Sequence, residues 1–174
     1  THCISSAASD VYKRQPFICV WDDHETANDA WLHGAENHQP ETEGDFALRK
    51  AAALKAYYEW MPIREAAPGA LKEAIHRSFH FGDLASLMMV ETRLTGRTEP
   101  LAYDKDLTAK DGPDGEPVLD LDAFRAKLND PARDLMGPQQ RDWLKRELAA
   151  SKAKGRPWQV LGNQGVMALS LIHI

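Results

Sequence analysis

The chain has 174 residues, enough for one ordinary domain, and 43% of them are apolar, enough for a core. Its 21 Lys+Arg against 26 Asp+Glu leave a formal charge of −5, which excludes broad binding to nucleic acid or to an anionic membrane, since no basic surplus is there to hold either. Cys3 and Cys19 form neither a CxxC pair nor a disulfide framework, and no apolar run reaches the roughly 18–20 residues of a membrane span.

Residues 1–15 are polar and aperiodic, without a basic region followed by an apolar stretch, so no export signal is visible; residues 170–174 form a short apolar tail without a cap. Both ends are expected to be non-native or disordered tails that pack poorly, which leaves 16–169 for the fold. Residues 16–21 (PFICVW) predict a buried strand running into Asp22-Asp23-His24-Glu25. An ordered loop follows over 26–45. Asp45 can cap a helix to about Trp60, stopped by Pro62. Residues 77–81 alternate as a strand, and 84–90 (LASLMMV) predict a central one. Residues 95–119 read as a surface excursion. Asp120 starts a short helix with Leu121, Phe124 and Leu128 on one face; Gly137-Pro138 opens a longer one ending near Gly155, and 158–162 predict a last strand. Strands alternating with helices give an α/β pattern.

The acidic cluster carries the strongest chemical signal. Ligands collect at the C-terminal ends of strands in α/β folds. Four consecutive ionisable groups there need compensation, because desolvating carboxylates is costly. Carboxylates with an imidazole suit iron, manganese, zinc or calcium. The alternative is that Asp22 and Asp23 cap a following helix while His24 and Glu25 stay solvated. His33, His38, His76 and His80 share no metal-ligand spacing and suit structural roles. Tyr57, Tyr58 and Trp60 suit core positions, and Lys50, Lys55 and Arg64 a solvated face.

WDDHE, followed by TANDAW and GAENH, resembles the signature of PhoD-like phosphatases. So do RKAAALKAYYEWMPIR (49–64), FHFGDLASLMMVETR (79–93), LMGPQQRDWLKREL (135–148) and WQVLGNQ (158–164), in the family's order. The resemblance implies a calcineurin-like metallophosphatase: a four-layer α-β-β-α sandwich, of which this chain is an internal fragment, incomplete at both ends. It implies hydrolysis of phosphate mono- or diesters, a periplasmic or secreted parent, and iron and calcium, or related divalent ions, as cofactors. By the resemblance Asp23 takes the place of a metal-ligating Asn, and His24 that of the His that stabilises or protonates the leaving group. Asp22 and Glu25 would orient the ligands, with Asp22 a further candidate for metal. Asn163, with Gln164, stands at a strand end where the superfamily has another metal-facing residue; a turn Asn is the other reading. Arg93 can meet a phosphate bidentately or form a structural salt bridge.

The family's first metal-binding Asp, its Gly-Asp segment and its closing Asp and Gly-Tyr segment are expected outside 16–169, so the chain alone is expected to be inactive. Two other readings stay open. A non-catalytic module could hold a structural metal at Asp22–Glu25, although Asp111-Gly112-Pro113-Asp114-Gly115 falls short of an EF-hand spacing. A mononuclear oxygenase would need a second His partnering His24, and none is evident.

Overall fold

The computed structural model describes residues 16–165. The two expected tails, 1–15 and 170–174, lie outside these residues. In chain order the elements are α1 (Pro40–Glu43), α2 (Phe46–Trp60), β1 (Arg77–Phe81), β2 (Ala85–Met89), α3 (Tyr103–Asp106), β3 (Ala109–Asp111), β4 (Pro117–Leu119), α4 (Leu121–Leu128), α5 (Gly137–Ala153) and β5 (Trp158–Gly162). Among the described residues they make a mixed α/β fold with two small sheets. One has the order β1-β2-β5 and the other is the hairpin β3-β4.

The helices begin where the sequence places their caps. The Asp45 side chain accepts the Ala47 amide at 2.9 Å, and Asp120 accepts the Ala123 amide at 3.1 Å. Each satisfies a donor that an open helix end leaves without a partner. β2 is central, antiparallel to β1 and parallel to β5, with Leu87 opposite Val160 and Met89 opposite Gly162. It buries Ser86 and Met88, every second residue, and α5 lies against it. The parallel pairing brings the C-terminal ends of β2 and β5 to one rim. A Val90 amide to Gly162 carbonyl bond of 3.0 Å extends the ladder there.

Residues 16–21 do not form the expected strand. They run beside the core without joining either sheet, and the Cys19 carbonyl accepts a bond from Arg77 Nη2 at 2.5 Å. Their apolar pattern is used instead mainly by Trp21, with Val20 packed against the same core. It is 1% exposed and meets Tyr57 and Tyr58 edge-to-face at 5.3 and 6.1 Å between ring centroids. Ala27, Ala30, Phe46, Leu54, Ile75 and Leu94 complete that core. Such edge contacts add about 0.5–1.5 kcal/mol beyond area burial.

Trp60 departs from its expected core position and is 86% exposed. Leu121 and Leu128 are also exposed, and Phe124 of the same helix is half-buried and stacks on Tyr103 at 5.5 Å. The four histidines do take structural places. His38 is buried against the Gly44 carbonyl, His76 lies 4.7 Å from the Trp143 ring, His80 meets Ser86, and His33 is exposed.

The start of α5 is packed backbone on backbone. A Cβ on Gly96 would lie 2.2 Å from the Gly137 nitrogen and 2.5 Å from the Met136 carbonyl carbon. At Gly162 the obstacle is the flexible end of Met89, whose sulfur would lie at 2.3 Å. Gly96→Ala is therefore expected to cost about 1–3 kcal/mol or more, as overpacking does, and Gly162→Ala distinctly less. Urea unfolding of the two variants tests this, and equal losses would contradict it.

Candidate functional site

The turn after Trp21 is built by the side chain that opens it. The Asp23 carbonyl accepts the Thr26 and Ala27 amides, both at 2.8 Å, which winds one helical turn. Its carboxylate accepts the His24 amide through Oδ1 at 3.0 Å and the Asp29 amide through Oδ2 at 2.7 Å. Asp29 has a φ of 50°, a left-handed conformation that Asp tolerates better than most residues. Glu25 reaches back to the Asp22 amide at 2.8 Å, as in a capping box. The capping alternative holds only in part: no helix follows, and the Asp23 side chain ties a single turn, with His24 and Glu25 on the surface.

The charge of the cluster is compensated by arginines. Arg93 Nε donates to Asp22 Oδ1 at 2.7 Å, and Nη1 donates to Asp29 Oδ1 at 3.1 Å and lies 3.8 Å from Asp23 Oδ2. Arg97 donates to Asp29 Oδ1 at 3.3 Å and to the Ala30 carbonyl at 3.1 Å. Burial pushes the Asp23 carboxyl up, but the Asp29 amide and the Arg93 guanidinium outweigh it and hold the group below its ordinary 3.8.

Arg93 owes its place to Glu91, a fully buried carboxylate. Glu91 Oε1 accepts the Trp21 indole at 2.9 Å and the Arg93 and Leu94 amides at 2.8 Å each; Oε2 accepts the Thr95 amide at 2.8 Å and its hydroxyl at 2.6 Å. Gln140 of α5 closes the Glu91 backbone, accepting its amide and donating to its carbonyl, both at 2.7 Å. Across the rim, Gln164 accepts the Thr92 hydroxyl at 2.8 Å and donates to the Val90 carbonyl at 2.7 Å, which makes Gln164 a tie between strand ends. Asn163 donates to the Gly165 carbonyl at 2.6 Å.

These contacts leave a cavity of about 450 Å³ lined by Asp29, Thr92, Arg93, Arg97, Leu135, Asn163 and Gly165. The structure therefore brings Arg93 and Asn163 to one cavity, with Asp22 and Asp23 behind Arg93. His24 does not line it. Its Nε2 lies 2.9 Å from Asn28 Oδ1, and Asn28 donates in turn to Glu36. Asp29, Arg97 and Glu91 were not singled out in the sequence. A carboxyl directly following the apolar run that ends at Val90 was the signal for Glu91, since a lone acid there must be satisfied inside.

Three comparisons bear on this geometry. The family model described as PhoD-like phosphatase matches residues 4–172. Alkaline phosphatase D of Bacillus subtilis (strain 168) is 34% identical over 150 residues, which is 86% of this chain and 22% of that protein. The solved structure titled "Structure of PhoD" matches with a TM-score of 0.56 at 30% identity, covering 84% of this chain and 24% of the other. The chain thus spans about a fifth of the length of the curated relative it matches.

Asp23→Asn removes one acceptor and turns a donor toward an amide. It is expected to cost about 1–3 kcal/mol at neutral pH. Because the folded value is depressed, the Asp23 contribution is fully present above the ordinary 3.8 and is lost as pH falls through the folded value. The difference in urea midpoint between the parent chain and the variant should therefore shrink as pH is lowered from 7 to below 3.8. A difference independent of pH would show that the carboxylate does not hold the turn.

Proposed function

Because the chain belongs to the PhoD-like phosphatase family, we propose that it supplies the phosphate-facing rim of an enzyme that hydrolyses phosphate mono- or diesters. The observation that carries this is the cavity where Arg93, Arg97, Thr92 and Asn163 converge at the shared end of two parallel strands. Among the described residues Arg93 Nη2 has no acceptor, while Nε and Nη1 are held by carboxylates. A guanidinium fixed on one side and open on the other suits a phosphoryl oxygen. His24 lies outside that cavity, so its proposed part is with the leaving group.

The residues described here do not fit a complete metal cage. Both Asp23 oxygens accept amides, and Asp22 and Asp29 are bound by arginines. Among the described residues no three His, Cys, Asp or Glu groups come together in an arrangement that could hold a metal ion. In this proposal the iron and calcium are held by ligands elsewhere in a full-length protein, and Asp22, Asp23 and Asn163 add single donors at most. The three-stranded sheet forms part of one layer of a four-layer sandwich, the parent is periplasmic or secreted, and the 174-residue chain alone is inactive.

The test is turnover of p-nitrophenyl phosphate and its bis-ester. The isolated chain should show none. In a full-length enzyme carrying this segment, Arg93→Met should lower kcat/KM by about 10²–10³-fold, as removing one preorganised donor does. His24→Ala should lower kcat about 10²-fold or more with KM little changed. Near-normal turnover by both variants, measured on folded protein, would remove this rim from the active site.

A further inference from the structure

We infer that Glu91 is the positioning residue of this rim: a buried carboxylate, outside the cavity, that sets where the Arg93 guanidinium and the Asp22–Asp29 turn stand. The inference rests on the phosphoester reading only where phosphate is used as a probe. Glu91 gathers donors from two distant parts of the chain, the Trp21 indole on one side and the amides of Arg93, Leu94 and Thr95 on the other. Trp21 directly precedes Asp22, and Arg93 grips that same Asp22. The carboxylate thus fixes both ends of the Asp22–Arg93 ion pair, one through the indole of the residue before Asp22 and the other through the Arg93 amide.

Only a carboxylate meets this demand. Four of the five donors are N–H groups, so a side-chain amide at this position must turn its NH₂ toward at least one of them. The Thr95 hydroxyl alone can reverse its role. A buried donor left facing a donor costs enough to move the segment that carries it. Glu91→Gln therefore keeps volume and shape while releasing either Trp21 and Arg93 or Thr95. The Thr95→Val change is milder. It removes the 2.6 Å hydroxyl contact and leaves the carboxylate.

The experiment uses ¹⁵N-labelled full 174-residue chain and follows the Arg93 Nε–H and Trp21 indole resonances, with inorganic phosphate as titrant. Glu91→Gln should displace both resonances and weaken phosphate about tenfold, the effect of about 1.4 kcal/mol. Thr95→Val should displace them in the same direction by less. Phe124→Ala, which removes the stack on Tyr103 outside the Trp21 core, should lower stability and leave both resonances in place. If Glu91→Gln folds poorly, Thr95→Val against Phe124→Ala still decides. The inference is overturned if the Glu91 and Thr95 variants leave both resonances unmoved, or if Phe124→Ala moves them equally at matched loss of stability. Displaced resonances in a chain that binds no phosphate would support the positioning role and count against the phosphate reading alone.

Discussion

A carboxylate stripped of water must find its donors inside the protein, and the Glu91 side chain finds five. Among the described residues no other side chain accepts as many hydrogen bonds. Its oxygens hold the residue before the acidic turn and Arg93, Leu94 and Thr95 beyond β2, while Gln140 fastens the same backbone to α5. The close approach of Gly96 to Gly137 follows from that fastening, because the turn over Glu91 brings residue 96 onto the start of the helix. The consequence of losing an acceptor here is severe, since each orphaned buried donor costs about 1–3 kcal/mol, whereas an exposed ion pair contributes about 0–1 kcal/mol.

That comparison sorts the ion pairs at the rim. Asp22 and Asp29 are nearly half exposed, and their bonds to Arg93 orient the guanidinium more than they stabilise the fold. Asp23 is different, being 8% exposed and bonded to two amides. Three carboxylates and two guanidiniums meet at this place, so the acids leave little positive charge to spare for an anion. The open Nη2 of Arg93 offers direction to a phosphate more than net charge, which is the reason the proposal looks beyond this segment for cations.

The periphery is less settled by packing. β5 stands at the edge of its sheet with Trp158, Val160 and Leu161 exposed, and β1 carries exposed Phe81 at the other edge. The excursion from 95 to 135 folds into a two-stranded hairpin and two short helices held mainly by local contacts, such as Lys110 with Asp120 and Lys127 with Asp106. Such pairs are screened by solvent and add little stability, so this part leans on the contacts Arg97, Thr98 and Arg133 make at its base.

The amino-acid sequence alone determined what depends on neighbours a few residues away. Asp45 and Asp120 as caps, Pro62 after a helix, Gly137-Pro138 before one and the alternation in 77–81 each fix local backbone, and the helices and strands of the sheet appear within a residue or two of where those signals put them. The family resemblance was legible for the same reason, since it rests on runs of adjacent residues. What only the tertiary structure decided lies between runs. Residues 16–21 have a strand's composition, yet they pair with neither sheet, and Val20 and Trp21 pack into the core instead. Arg93 as a salt bridge or a phosphate ligand could not be chosen from sequence, because its carboxylates come from residues 64 to 71 positions away. For Glu91 the sequence offered only a carboxyl after an apolar run; its role depends on the donors around it, and the fold brings one of these from 70 residues away.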